Sequence, residues 1–174
     1  MAPLTALEGW CLIVLLMQQD HQEKRVGFIG LLWLVTLFTA YQGVLYAPIV
    51  WALLHGKKRS SPRELVAFVA PILLLVLYTF SNPLALASMT IQAGQGAGLS
   101  LLQRAEAWTR VWFMGGSIVL SFVGLVGIVR ARMWPMFLSF ILVSAYVYLA
   151  HFEYYAILFT PLLFAGSMLF LFSH

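Results

Sequence analysis

Charge is what this sequence has least of. Ten Lys and Arg and six Asp and Glu make up 9% of its 174 residues, where a soluble domain carries about 25%. With 62% apolar residues and a mean hydropathy of +0.92, the expectation is an integral membrane protein. Cysteine is nearly absent too. Cys11 is alone and lies in an apolar stretch, which excludes an internal disulfide and a cysteine metal cluster. His21, His55, His151 and His174 are scattered, with no His/Cys/Asp/Glu set at ligand spacing and no helix-borne pair for haem, so no metal site is expected. The Gly-x-Ser-x-Gly elbow of a serine nucleophile is missing. The glycine-rich run Gly94 to Gly98 lacks the lysine and preceding strand of a phosphate loop. No basic region precedes the apolar run Leu4 to Met17 and no small-x-small site follows it, so it does not read as a cleavable signal. The net charge of +4 falls in loops, where in a membrane chain it reports insertion topology. No nucleic-acid partner is expected.

What is present is a series of apolar runs, and the most informative is Val26 to His55. As one straight helix it would be about 45 Å long, well beyond a hydrocarbon core of about 30 Å. Thr39-Ala40-Tyr41-Gln42-Gly43 interrupts it near the middle, with Pro48 soon after. Leu4 to Gln18 is a short first segment carrying Glu8. Asp20 to Arg25 and Gly56 to Glu64 are charged loops, and Ser61, Pro62 and Glu64 in the second form a capping-box signature. Leu65 to Phe80 then spans, ending at the turn signal Ser81-Asn82-Pro83. Leu84 to Thr109 is mixed in polarity. Its second half places Leu101, Ala105, Trp108 and Trp112 opposite Gln103, Arg104, Glu106 and Arg110, which reads as an amphipathic helix lying at the membrane interface. Val111 to Val129, Pro135 to Ala150 and Ala156 to Phe172 complete the spans, with a polar aromatic break at His151 to Tyr155.

The basic residues choose between a single long crossing and a fold-back for Val26 to His55. If the run folds back at Tyr41-Gln42-Gly43, then Lys24, Arg25, Lys57, Lys58, Arg59, Arg63, Arg130 and Arg132 all face the cytoplasm, and only Arg104 and Arg110 remain outside. The expected fold is therefore an all-α, polytopic helical bundle forming a single transmembrane domain over residues 1–174. It has about five full spans, a short helical hairpin at Val26–His55 and an external interfacial helix. Its N-terminus is extracytoplasmic and its C-terminus cytoplasmic.

The external face then collects Glu8, the Tyr41-Gln42-Gly43 tip, the Leu84 to Thr109 loop and His151 to Tyr155. This is where a site is expected, against the alternative of ordinary loop solvation with an aromatic belt. Tyr41, Gln42, Arg104, Trp108, Arg110, His151, Glu153 and Tyr154 are the residues expected to meet lipid or a partner. Arg104 and Arg110 either bind a lipid phosphate or simply snorkel. For His151 and Glu153, loop solvation is favoured over metal ligation. Gly115, Gly116, Gly124 and Gly127 are spaced for close helix contact, within the bundle or with another subunit. No catalytic residue and no cofactor are expected; a bound lipid is compatible with the pattern.

One order of features carries a resemblance. A short helix near a proline, a basic loop and a glycine-bearing apolar run lead into Leu37-Phe38-Thr39-Ala40-Tyr41-Gln42-Gly43. Apolar residues continue through Pro48 to Lys57-Lys58-Arg59, and His151-Phe152-Glu153-Tyr154-Tyr155 and Pro161-Leu162-Leu163 follow near the end. This resembles the C-terminal two-thirds of GT-C-fold membrane glycosyltransferases, relatives of protein mannosyltransferase and of the aminoarabinose transferase of lipid A. The resemblance implies a polyprenyl-phosphate-linked sugar and a site on the extracytoplasmic face. It also implies losses. Ala40 stands where that family carries a lysine for lipid phosphate, and Tyr154-Tyr155 where it carries Arg-Tyr. The acidic base of the family lies in an earlier external loop with no counterpart here. Alanine or tyrosine cannot replace a cation facing phosphate, so the resemblance implies a chain that does not catalyse alone.

Two functions are thus expected. One is a non-catalytic accessory or structural subunit of a membrane protein complex, built on a degenerate GT-C-like bundle, with lipids and other membrane subunits as partners. The other is a glycosyltransferase, or a fragment of one.

Overall fold

The computed structural model describes residues 2–18, 26–55, 61–94, 98–114, 118–150 and 157–172. All elements among them are helical. They are α1 (Ala2–Met17), α2 (Val26–Thr39), a 3-10 segment (Tyr41–Tyr46), α3 (Ala47–His55), α4 (Pro62–Ser81), α5 (Pro83–Gly94), α6 (Leu101–Met114), α7 (Ile118–Arg130), α8 (Trp134–Ala150) and α9 (Thr160–Phe172). One helix among the described residues, Pro62–Ser81, is long and apolar enough to cross a membrane. Pro3–Met17, Val26–Thr39, Ser121–Arg130, Trp134–Leu149 and Ile157–Phe172 are apolar but shorter.

The apolar run from Val26 folds back on itself. On one straight helix Trp33 and Trp51 would stand about 27 Å apart. Instead both rings pack on Phe68, with centroids 6.1 and 5.0 Å away. The reversal has a local cause. Ala40 leaves the helix in an extended conformation, φ −157° and ψ 132°, and the Gly43 N–H donates to the Ala40 carbonyl at 2.8 Å. Gly43 then lies flat on the last turn of α2, where a Cβ would come within 2.6 Å of the Thr36 carbonyl oxygen. Only a residue without a side chain fits there.

Helices α2 and α4 run side by side in the same direction, since Gly30 faces Ala67, Trp33 faces Phe68 and Phe38 faces Tyr78. The buried Trp33 indole donates to the Phe68 carbonyl at 3.1 Å. Pro71 lies inside α4 and has no N–H to offer the Ala67 carbonyl, so the ladder is already interrupted where Trp33 approaches. The start of α4 forms as the sequence predicts. Glu64 N–H donates to the Ser61 hydroxyl at 3.3 Å and Ser61 N–H to the Glu64 carboxylate at 2.8 Å, with Pro62 in the first turn.

One sequence expectation is corrected here. Leu84 to Gly94 was expected within an external loop but belongs to helix α5. Its start is capped by Asn82, whose side-chain oxygen accepts from the Leu84 and Ala85 N–H groups at 3.1 and 3.4 Å. The turn signal that ends α4 also begins the next helix. Of the Val111 to Val129 span, the end of α6 (Leu101–Met114) and α7 from Ile118 are described, and residues 115–117 lie outside the described residues. Ser100 and Gln103 form a capping box, with Ser100 N–H to Gln103 Oε1 at 2.9 Å and Gln103 N–H to Ser100 Oγ at 3.3 Å. That signal is legible in the sequence as Ser-x-x-Gln.

The closest helix pair is α7 against α9. A Cβ on Gly127 would strike the Gly166 carbonyl oxygen and sit 2.9 Å from Phe170 N. One on Gly124 would strike the Leu163 carbonyl oxygen. Residue numbers rise together along both helices, so they run in the same direction. Gly124 and Gly127 therefore serve packing inside this chain. Gly115 and Gly116 lie outside the described residues. The core between the two halves is built on Trp33, Tyr46, Ile49, Met136, Val143, Leu158 and Leu162, all fully buried.

Candidate functional site

Turn chemistry, helix direction and one deep tyrosine bring the polar groups to a single end of the bundle. The reversal at Ala40 presents Thr39, Tyr41 and Gln42 together. Helix α8 ends at the same end as α2, with Tyr146 one turn before its last residue. Gln42 Nε2 donates to the Tyr146 hydroxyl at 3.1 Å, and the Tyr41 and Tyr146 hydroxyls lie 3.4 Å apart. From α1, Glu8 reaches the same end and accepts from the Thr39 hydroxyl at 2.7 Å. Below it, Gly9 lies against the Tyr46 ring, where a Cβ would be 2.5 Å from Cζ. The Tyr46 hydroxyl donates to the Leu158 carbonyl at 2.9 Å, tying the hairpin to the start of α9.

Helix α6 approaches the same end along α8. Arg104 Nη1 donates to the Leu149 carbonyl at 3.1 Å, and Trp108 Nε1 to the Ser144 hydroxyl at 3.0 Å. As α6 advances from Arg104 to Trp108, its contacts move back along α8 from Leu149 to Ser144. Helix α6 therefore stands antiparallel beside the C-terminal half of α8. The expected opposition of Arg104 and Trp108 is corrected. Residues four apart share a helix face, and here that face, with buried Ala107 between them, is turned to α8, while Leu101 and Leu102 are exposed. Arg104 meets the carbonyl end of α8, where a cation is favoured by the helix dipole.

Of the residues expected at the site, Tyr41, Gln42, Arg104 and Trp108 are thus gathered around the C-terminal half of α8. Arg110 is not part of that set; it is exposed and paired with Glu106 one turn earlier. His151, Glu153 and Tyr154 lie outside the described residues. Glu8, which the sequence placed on the expected face, joins the cluster, as do Thr39 and Tyr146, which were not among the residues expected at the site. Tyr146 gave a faint signal, an aromatic hydroxyl one turn ahead of the His151 break. Nothing local marks Thr39 as the partner of Glu8.

Chemically the cluster is a network of neutral hydrogen bonds with one carboxyl at its edge. Gln42 is 7% exposed, so its amide serves the bundle. Replacing Gln42 with leucine is expected to cost about 1–2 kcal/mol, because the Tyr146 hydroxyl loses its donor inside the protein. Unfolding of the two proteins in graded denaturing detergent measures the difference; a loss under about 0.5 kcal/mol would mean that the bond is not formed in the folded state. Among the described residues no group of three His, Cys, Asp or Glu side chains is placed to hold a metal ion.

No protein-family model, no curated protein and no solved structure matches this chain.

Proposed function

We propose that the chain is a multi-pass integral membrane protein serving as a non-catalytic accessory or structural subunit of a larger membrane complex. The observation that carries this reading is Gln42. It lies at the centre of the polar end, is almost fully buried, and gives its amide to Tyr146. A catalytic or sugar-binding end would keep such groups open to a substrate, whereas here they hold helices together.

Membrane embedding is supported by what the bundle leaves exposed. Val66, Leu73, Leu77 and Phe80 on α4 show 55–73% of their surface, a cost in water and none in lipid, which is as apolar as leucine. Helix α8, with 17 residues, is at the short end of the spanning range of about 17–25. Shorter helices are accommodated by local thinning of the bilayer.

The proposed orientation is supported by the helix directions taken with the basic residues. Arg63 starts α4, which runs parallel to α2, and Arg130 and Arg132 lie at the α7–α8 junction. All three are at the end opposite Thr39, Gln42 and Tyr146. The positive-inside rule then puts that end in the cytoplasm, and the polar cluster and N-terminus outside. Single cysteines introduced into a Cys11→Ser background test this. Ser81→Cys is expected to react with an impermeant maleimide added outside intact cells, and Ser61→Cys only after permeabilisation. The opposite pattern would invert the topology.

The alternative reading is the GT-C-like one, a glycosyltransferase or fragment using a polyprenyl-phosphate-linked sugar at the extracytoplasmic face. It is favoured by the position of Ala40, which stands at the hairpin tip next to Tyr41 and Gln42. Native mass spectrometry after gentle solubilisation separates the two. Fixed stoichiometry with other membrane subunits supports the accessory role; a lone chain carrying a polyprenyl-phosphate lipid supports the transferase.

A further inference from the structure

Glu8 stands out at the polar end. One carboxyl oxygen accepts from Thr39. The other, Oε2, has less than 1 Å² of exposed surface and no hydrogen-bond partner. Helix α1 packs against α2, the 3-10 segment, α3 and α9, and none of these brings a cation to Glu8. Helix α2 contributes the Thr39 hydroxyl, and α9 has no charged residue. The 3-10 segment contributes the phenols Tyr41 and Tyr46, and the Tyr46 hydroxyl is already given to Leu158. On α3, His55 is at the opposite end, bonded to the Trp51 carbonyl through Nδ1. Among the other described cations, Arg104 holds the end of α8, Arg110 is paired with Glu106, and Arg63, Arg130 and Arg132 are at the far end.

Among the described residues an ionised carboxylate here finds neither a counter-ion nor a donor for Oε2, which is a costly state. In the packed structure Oε2 has no open surface for an ammonium group, a metal ion or a water; only a reagent that stays covalently attached would accumulate there through slow opening of α1. A proton needs no such surface. The Thr39 bond is compatible with that state: the hydroxyl donates to Oε1, which a neutral carboxyl accepts on its carbonyl oxygen while Oε2 carries the hydrogen.

We propose that Glu8 is a proton-binding site, a carboxylic acid held neutral at the outer end of the bundle with Oε1 fixed by Thr39 and the proton on Oε2. Such intramembrane acids mark places where protons are held or passed on. The inference rests on the membrane reading above, and its test is separable from it.

The infrared spectrum of the full chain reconstituted in phosphatidylcholine vesicles at pH 7 is compared with that of Glu8→Gln. A protonated-carboxyl carbonyl band present in the parent and absent from the variant is expected. Its absence from the parent overturns the proposal. The carbodiimide reaction then locates the acid. Dicyclohexylcarbodiimide takes the acid proton on nitrogen and the carboxyl oxygen on its central carbon, and the adduct rearranges to a stable N-acylurea without loss of atoms. Mapped by mass spectrometry, Glu8 is expected to be labelled about tenfold or more above Glu64 and Glu106, whose carboxylates are held by the Ser61 N–H and by Arg110. Thr39→Val keeps the acid and is expected to keep the label, which separates protonation from the hydrogen bond. Rapid coupling of Glu8 by a water-soluble carbodiimide, at the rate of Glu106, would mean a solvated carboxylate and overturn the site. Alkaline carbonate extraction of the same membranes reads the membrane assignment independently: a chain released by carbonate defeats that assignment, whereas the infrared band and the label decide the acid.

Discussion

Gly127→Ala, a single added methyl group, is expected to destabilise the bundle by about 3 kcal/mol, at the upper end of the range for overpacking. The methyl group would land on the Gly166 carbonyl oxygen, with Gly166 C and Phe170 N both 2.9 Å away. All three are backbone atoms, so no side chain can rotate out of the way and the two helices must separate. Gly166→Ala attacks the same contact from the other side, against the Gly124 carbonyl and Ile128 Cγ1 at 2.8 Å. The double variant is expected to cost less than the sum, because helices already parted by one methyl group accommodate the second. Gly27→Ala is the control. Nothing lies within 4 Å of its Cβ, so the higher helix propensity of alanine should leave stability unchanged or raise it by about 0.5–1 kcal/mol. Unfolding in graded denaturing detergent measures all four. Equal effects of Gly127→Ala and Gly27→Ala would mean that α7 and α9 do not touch. In lipid this matters more than in water, because close backbone packing is a main force between helices there.

Trp33→Ala is expected to cost about 3–5 kcal/mol, the range for truncating a buried aromatic. Trp33 is fully buried, stacks on Phe68 at an interplanar angle of 8°, and donates to the Phe68 carbonyl. Its removal leaves a void between α2 and α4 and takes a donor from a carbonyl next to the Pro71 interruption. Trp33→Phe keeps a ring and loses only the N–H, so about 1 kcal/mol is expected. Thermal stability of the detergent-solubilised protein, read as the fraction still monodisperse after heating, orders the three proteins. If the phenylalanine variant falls as far as the alanine variant, the hydrogen bond, and not the packing, holds these helices.

Several features were legible in the sequence because their causes are local. The shortage of charge and the length of the apolar runs made the chain helical. Ser61, Pro62 and Glu64 started α4 as a capping box does, within one turn. Thr39 to Gly43 broke an apolar run too long for one crossing, and the basic loops favoured a fold-back. Two helix starts of the same local kind, at Asn82 and Ser100, were equally readable; the polar, glycine-bearing stretch between them disguised them as a loop.

What the tertiary structure decided is which distant residues meet. Gln42 and Tyr146 are 104 positions apart, Glu8 and Thr39 are 31 apart, and no periodicity or cap connects them. Their meeting depends on α8 returning beside the hairpin and on α1 crossing its tip. Gly124 and Gly127 could be read as surfaces for a neighbour until the α9 backbone was seen lying on them. Arg104 and Trp108 changed meaning for the same reason. Sequence spacing tells which residues share a helix face, but only the packed partner tells what that face is for. Composition and short-range hydrogen bonding thus determined that this protein is helical and where its chain turns. The polar end, with its buried amide and the Glu8 carboxyl, exists only because helices far apart in the sequence pack there.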